Sequence, residues 1–143
     1  LDLAHFKRVN DTFGHTFGDR ALRLVADTIR RHTRAGDTAA RFGGEEFAIL
    51  LPRADWDGAH QVAEKIRRAV QQDGAVLDDN RVGLTVSIGV ASFAGRSGDA
   101  ANEVLEEADR ALYYAKGHGR NQSVLYADLP SRYRRPTAAA SST

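Results

Sequence analysis

Residues 41–47 carry the side chains best suited to chemistry, because the pair Gly43-Gly44 is followed at once by Glu45 and Glu46. Glycine accepts the positive φ of a tight hairpin turn, and it lets a ligand approach the backbone closely. Adjacent carboxylates on a stiff turn repel each other, and a divalent cation relieves that repulsion. The segment predicts a hairpin with a metal-binding acidic tip; an ordinary hairpin with solvated glutamates is the plain alternative.

A further acid, Asp2, lies between Leu1 and Leu3, which we interpret as the C-terminal end of a first strand. Ligands in α/β folds bind beyond such strand ends. Mg²⁺ is commonly held by one or two carboxylates together with water and substrate phosphates, so Asp2 and Glu45 from adjacent strands would suffice. A carboxylate that only caps the following segment is the alternative for Asp2.

Taken together, these motifs resemble the GGDEF family in its GGEEF form. The resemblance runs from Leu1 to about Tyr126, and its upstream block is Asp2-Leu3-Ala4-His5-Phe6-Lys7, Asn10-Asp11-Thr12-Phe13-Gly14-His15 and Gly18-Asp19. Family members are diguanylate cyclases, which condense two GTP into cyclic di-GMP and release pyrophosphate. The resemblance therefore implies a nucleotidyltransferase of signal transduction that uses Mg²⁺ or Mn²⁺ and acts as a homodimer, with one GTP per subunit.

The resemblance also implies the metal and catalytic residues. Asp2, the Leu3 carbonyl, Glu45 and Glu46 correspond to the metal ligands, and Glu45 to the base toward the attacking ribose hydroxyl. The division of roles between the two glutamates stays open. Where the family commonly has a second Asp, this chain has Ala4, which lowers the negative charge available to a second ion.

A guanine pocket is expected around Phe6, Asn10, His15 and Asp19, because an acid and an amide beside an aromatic wall match the donors and acceptors of the base. In the family, the Asn and Asp that match Asn10 and Asp19 contact the base. The alternatives are an N-cap role for Asp19 and a backbone-bonded loop histidine at His15.

Positive charge for the triphosphate is expected from Lys7, Lys116 and Arg120, since the chain has no Walker-type loop. These residues match phosphate-binding positions of the family, with Lys7 also assigned to catalysis and the backbone of Gly43 and Gly44 to the substrate. For Lys116, an ordinary interaction with the C-terminal dipole of its helix is the alternative.

An inhibitory site for cyclic di-GMP is implied by Arg34-Ala35-Gly36-Asp37, which matches the family's RxxD pattern upstream of the hairpin. Arginine binds phosphate through two N–H groups and stacks on purines. Lys65 is a candidate secondary contact. A helix-end arginine followed by a turn aspartate is the alternative explanation.

The elements that must position these residues follow from periodicity. Apolar residues at helical spacing predict helices over 19–34, the segment after an N-cap at Asp55, and 102–116, and residues 6–13 are expected to form a short helix or helical loop that ends at Gly14. Strands are predicted at 1–3, 37–42, 46–51, 76–77, 84–91 and 123–127, with 47–51 buried on both faces and 78–80 joining two strands. This order indicates an α/β fold of mixed α+β type, and the resemblance implies an elaborated ferredoxin-like βαββαβ plan like the palm of nucleotidyl cyclases and polymerases.

Composition narrows the remaining possibilities. The 143 residues allow one domain, which we place at 1–127 and follow with a disordered tail at 128–143. A net charge of +1 gives no support for nucleic-acid binding, and the basic segment 132–135 reads as a solvated end. Without cysteine or a long apolar run, we expect a cytoplasmic domain, truncated at its N-terminus, whose whole protein carries an upstream sensory or receiver domain or a membrane anchor. Rival functions are a silent receptor for GTP or cyclic di-GMP and a purely structural dimerisation module.

Overall fold

The computed structural model describes residues 1–77 and 79–136. Its helices are α1 (Phe6–Phe13), α2 (His15–His32), α3 (Trp56–Asp73) and α4 (Ala101–Gly117). Its strands are β1 (Asp2–Leu3), β2 (Thr38–Arg41), β3 (Phe47–Leu50), β4 (Ala75–Leu77), β5 (Asn80–Val82), β6 (Val86–Val90) and β7 (Ser123–Leu125). Short 3₁₀ helices cover Gly98–Ala100, Tyr126–Asp128 and Ser131–Tyr133.

The sheet places β1 at the centre of the site region. Strands β1, β6 and β7 form one sheet in the order β1-β6-β7, with β6 antiparallel to β1 and parallel to β7. The hairpin β2–β3 lies on the other side of β1 and is linked to it by an antiparallel bridge between Asp2 and Glu46. Helices packed on a mixed sheet confirm the predicted α+β class.

The two faces of the sheet have different partners. Leu1, Leu3, Val86 and Ile88 belong to a continuous buried core that also contains residues of α2 and α3, among them Phe17, Ile29 and Ile66. The opposite face is covered by α4, which approaches β6 so closely that a Cβ on Gly89 would lie 2.1 Å from the Ala108 carbonyl oxygen. Because side chains alternate along strands, Asp2 and Ser87 lie on the α4 face.

Local signals explain the helix ends. Gly14, at φ 88°, ends α1 with its amide donating to the Asn10 carbonyl, as predicted. Asp55 caps α3 by accepting from the Gly58 amide at 2.7 Å, also as predicted. Helix α2 begins at His15 rather than Asp19, because Gly14 itself is the N-cap and its carbonyl accepts from the Gly18 amide. The alternative that Asp19 caps this helix is therefore wrong.

The hairpin strands are more exposed than predicted. Only Phe47 is buried in β3, Leu50 is 51% exposed, and β2 is exposed throughout. The physical reason is an open apolar groove of about 1090 Å³, which is lined by parts of β3, α3, the end of β6 and α4. The prediction that this strand is buried on both faces is wrong for the described residues.

Two further segments differ from the sequence expectations. Residues 75–82 form a separate antiparallel hairpin, β4–β5, so the following strand begins at Val86 rather than Leu84. The predicted connection 78–80 falls partly on Asp78, which lies outside the described residues; Asp79 is in the turn and Asn80 already in β5.

The C-terminal segment is also ordered further than expected. Strand β7 ends at Leu125, and two 3₁₀ helices follow it. Leu129 is 1% exposed, so the prediction of disorder from residue 128 does not hold for 128–136. Residues 137–143 lie outside the described part. Among the described helices, none is both long and apolar enough to traverse a bilayer.

Candidate active site

Asp2 and Glu46 form the structural centre of the site. The Leu3 amide donates to the Glu45 carbonyl at 3.1 Å, and the Phe47 amide donates to the Leu1 carbonyl at 2.9 Å, on either side of the pair. Asp2 and Glu46 are thus a non-hydrogen-bonded antiparallel pair, the arrangement with the closest side chains and Cα atoms about 4.5 Å apart. Two acids that α1, α2 and β2 separate along the chain are thus brought to one face of the sheet.

Lys116 supplies the positive charge at this pair. Its Nζ donates to Asp2 Oδ2 at 2.6 Å, and the Asp2 side chain is only 5% exposed. The contact depends on the close approach of α4 to β6 at Gly89, because that approach carries the last turn of α4 over Asp2. Sequence analysis assigned Lys116 to phosphate and did not foresee this ion pair, since 114 positions separate the partners.

The Gly43-Gly44 turn is braced by a residue to which sequence analysis gave no role. The Arg41 guanidinium donates to the Gly43 carbonyl through Nε at 3.1 Å and to the Gly44 carbonyl through Nη2 at 2.8 Å. Glu45 lies in the bend after this turn, directly before the bridge residue Glu46. The sequence signal for this role was an arginine placed directly before an aromatic residue and a Gly-Gly turn.

Ser87 is a second residue that sequence analysis missed. It pairs with Asp2 across β1 and β6, is 1% exposed, and its Oγ has no hydrogen-bond partner among the described residues. A buried hydroxyl without a partner is uncommon, which marks this position on the floor of the acidic site. A serine within the alternating strand Val86–Val90 was the available signal.

The predicted guanine residues are only partly brought together. Asn10 packs closely against Gly18. A Cβ added at Gly18 would lie 1.8 Å from Asn10 Oδ1 and 3.4 Å from Phe6 Cε2. The buried Asn10 Oδ1 has no partner among the described residues. His15 and Asp19 lie exposed on the first turns of α2.

A shallow groove of about 520 Å³ runs between α2 and the hairpin and contains Asp19 and Asp37. Its lining also includes the basic residues Arg23, Arg30 and Arg41, to none of which sequence analysis gave a role. Arg23 and Arg30 are seven residues apart and therefore lie on one face of α2, and this spacing was the sequence signal for a basic groove. The groove therefore combines acceptors for a base with donors for phosphate.

The RxxD residues close a local turn. Asp37 Oδ2 accepts from the Arg34 amide at 2.7 Å, and the Asp37 amide donates to the Arg34 carbonyl at 3.0 Å. The Arg34 side chain is exposed, as is Lys65 on α3. Within the described part of the chain, no hydrogen bond or ion pair joins Lys65 to either residue. The arrangement leaves Arg34 accessible to a ligand.

The remaining predicted phosphate residues lie on two elements. Lys7 is exposed in α1, whereas Arg120 follows α4 in a turn with φ 59°, its amide donating to the Ala115 carbonyl. Neither side chain makes a hydrogen bond or ion pair to another described residue. Both are accordingly available to a ligand.

A divalent cation fits the acidic pair only with help from a ligand. No cluster of three or more His, Asp or Glu side chains capable of holding a metal occurs in the described ranges. Two carboxylates on one sheet face nevertheless suit Mg²⁺, which usually completes its octahedron with water and substrate phosphates.

Comparison with known proteins decides the family. The family model described as "Diguanylate cyclase, GGDEF domain" matches residues 1–122. The chain belongs to the GGDEF family. Diguanylate cyclase A of Treponema denticola is 42% identical over 125 residues, which are 87% of this chain and 33% of that protein.

Solved GGDEF domains share the fold. The GGDEF domain of DgcB from Caulobacter crescentus, in complex with c-di-GMP, is 37% identical, with a TM-score of 0.79 over 89% of this chain and 75% of that one. An active GGEEF domain of a diguanylate cyclase from Vibrio cholerae is 30% identical, with a TM-score of 0.74 over 87% and 78% of the two chains. The chain spans about a third of the length of its curated Treponema relative.

Proposed function

We propose that this GGDEF domain is the catalytic part of a diguanylate cyclase, which condenses two GTP into cyclic di-GMP and releases pyrophosphate. The observation that carries the proposal is the Asp2–Glu46 pair, with Glu45 adjacent and Lys116 above it. Relatives named diguanylate cyclases at about 40% identity support it.

In this proposal, Asp2 and Glu46 would hold Mg²⁺ or Mn²⁺, with the Leu3 carbonyl as a further ligand. The bound cation would stabilise charge on the phosphoryl oxygens and favour ionisation of the nucleophile. Glu45 receives the proton of the ribose 3′-hydroxyl. The bridge that pairs Glu46 with Asp2, and leaves Glu45 in the bend before it, supports this division of the two roles.

The nucleotide is held by the elements around the pair. Asn10, Asp19 and the ring of Phe6 bind guanine, with His15 at the rim. Lys7, Lys116, Arg120 and the Gly43-Gly44 backbone hold the phosphates. Each ribose 3′-hydroxyl attacks the α-phosphate of the GTP on a second subunit, so the active form is a homodimer. In this proposal the whole protein acts in the cytoplasm and is controlled by an upstream domain.

The test measures cyclic di-GMP formed from GTP and Mg²⁺ by the full-length protein. Glu45→Ala lowers turnover by about a hundredfold or more, because a general base contributes at least that factor. Glu46→Gln raises the Mg²⁺ concentration needed for half-maximal rate. Asp99→Asn, which removes an exposed carboxylate elsewhere, is the matched control. Unchanged turnover in Glu45→Ala contradicts the catalytic assignment.

A silent receptor is the second candidate, and the observation in its favour is Ala4, at a position where a further acid is common in the family. Calorimetry with GTP and with cyclic di-GMP separates the two functions. Binding of either nucleotide without turnover in the full-length protein favours the receptor.

Feedback inhibition through Arg34 and Asp37 is a separate part of the proposal. It predicts that the domain binds cyclic di-GMP and that Arg34→Ala abolishes this binding.

A further inference from the structure

The Asp2 carboxylate needs a cationic partner whether or not a metal is bound. Its side chain is 5% exposed, and an ionised carboxylate removed from water without a partner strongly destabilises the fold. Glu46 lies beside it on the same sheet face and adds negative charge. The Lys116 ammonium, at 2.6 Å from Oδ2, provides the charge compensation.

Lys116 is able to leave this position without disturbing the helix. The side chain is 36% exposed and extends from the last turn of α4, so its ammonium reaches water by rotation about its own bonds. The helix itself is anchored by the buried Ala111 and Ala115, and Gln122 Nε2 donates to the Ala115 carbonyl at 3.1 Å. A flexible, strongly hydrated ammonium is well suited to changing partners.

We propose that Lys116 occupies the place of the divalent cation on Asp2 in the nucleotide-free domain, and that it moves to the triphosphate when metal and GTP bind together. The proposal rests on the proposed function for the identity of the nucleotide. An ammonium and a divalent cation repel each other and compete for the same carboxylate oxygen. Metal alone must displace Lys116, whereas a metal–triphosphate complex offers the ammonium new oxygens, so metal and nucleotide bind cooperatively.

The experiment measures Mn²⁺ binding without nucleotide from the EPR signal of free Mn²⁺, and then the binding of 3′-deoxy-GTP, which lacks the attacking hydroxyl and cannot turn over, in the presence of Mn²⁺. Lys116→Met binds Mn²⁺ alone about tenfold more tightly, because a repelling charge near the ligand oxygen is gone. The same variant binds 3′-deoxy-GTP in the presence of Mn²⁺ about tenfold more weakly, because a charge-assisted hydrogen bond is lost. Arg68→Met, which removes one exposed positive charge from α3, changes neither affinity.

The two shifts in opposite directions distinguish the proposal from simpler roles. A residue that only binds phosphate leaves the Mn²⁺ affinity without nucleotide unchanged, and that result overturns the exchange. A residue that only stabilises the site weakens both affinities, which also overturns it. Lys116→Arg keeps the charge and retains weak binding of Mn²⁺ alone.

A measurement on the unsubstituted protein covers the case in which Lys116→Met does not fold. In ¹⁵N NMR of the lysine side chains, Mg²⁺ without nucleotide shifts the Lys116 signal and leaves that of Lys65 in place. An unchanged Lys116 signal at saturating Mg²⁺ overturns the exchange. These readouts need no product, so absence of cyclic di-GMP formation rejects the proposed function separately.

Discussion

Arg41 acts on the chemistry through the backbone of the turn that carries Glu45 and Glu46. Its two hydrogen bonds to the Gly43 and Gly44 carbonyls fix a segment that has no side chains of its own for support. The Arg41 side chain is exposed, so it contributes little to the core. A positioning role, separate from stability, follows from this geometry.

We expect Arg41→Met to lower kcat for cyclic di-GMP formation about tenfold, because loss of the two hydrogen bonds lets the turn shift and misplaces the glutamates that follow it. Steady-state kinetics and thermal unfolding are measured together, and the melting temperature stays near that of the parent. Arg41→Lys does not restore kcat, because an ammonium lacks the planar fork that reaches both carbonyls. Equal kcat in Arg41→Met and Arg68→Met would refute the role.

At this scale, sequence identified the acids more readily than their surroundings. Glu45, Glu46 and Asp2 stand next to glycines and apolar strand residues, and such local contrasts are visible in a sequence. The Lys116–Asp2 contact is not, because it depends on how closely α4 approaches the sheet. The roles assigned to the individual side chains remain predictions that the experiments above address.

Among the elements, the packing of α4 on the sheet depends most on a single glycine of β6, Gly89. A Cβ on Gly89 would lie 2.1 Å from the Ala108 carbonyl oxygen and 2.5 Å from the Leu112 amide nitrogen. Both are backbone atoms in the interior of the helix, so they cannot rotate away. Substitution must therefore move the whole helix relative to β6.

Gly89→Ala is expected to lower the free energy of unfolding by about 1–3 kcal/mol, the usual range for overpacking. Urea denaturation followed by circular dichroism provides the value. The Gly89→Ala substitution also displaces Lys116 from Asp2, so the Mn²⁺ affinity without nucleotide changes. Gly98→Ala, where nothing lies within 4 Å of the added Cβ, serves as control. Equal stability of the two variants argues against the tight contact.

Helices were easier to predict than strands for a physical reason. The apolar stripes of α2, α3 and α4 repeat over several turns, Gly14 marks the end of α1, and Asp55 marks the start of α3. The strand Phe47–Leu50 is apolar throughout, yet its burial depends on which elements cover it, and an open groove lies beside it. The hairpin β4–β5 is short and exposed at Val76, so its periodicity is weak.

For the molecule as a whole, the segment after β7 belongs to the fold. Leu129 is buried, and the Arg135 amide donates to the Tyr126 hydroxyl at 2.9 Å. The Tyr133 ring lies edge-on against Tyr114 of α4, with ring centroids 4.9 Å apart. Sequence suggested disorder here because such contacts span long separations and leave no periodic pattern.

Leu129→Ala is expected to destabilise the domain by about 2–5 kcal/mol, as for other buried leucines. The measurement is chemical denaturation of the full chain. Ser131→Ala, on an exposed position two residues away, changes stability only slightly. A Leu129→Ala variant as stable as the Ser131→Ala control shows that the segment does not pack on α4.

The ion pair between residues 2 and 116 also bears on the order in which the domain is made. During synthesis of the domain, Asp2 is incorporated early, whereas Lys116 is incorporated only when nearly all of the domain has been made. An incomplete nascent chain thus holds Asp2 without its cation, and charge balance at this position is reached only once α4 has emerged.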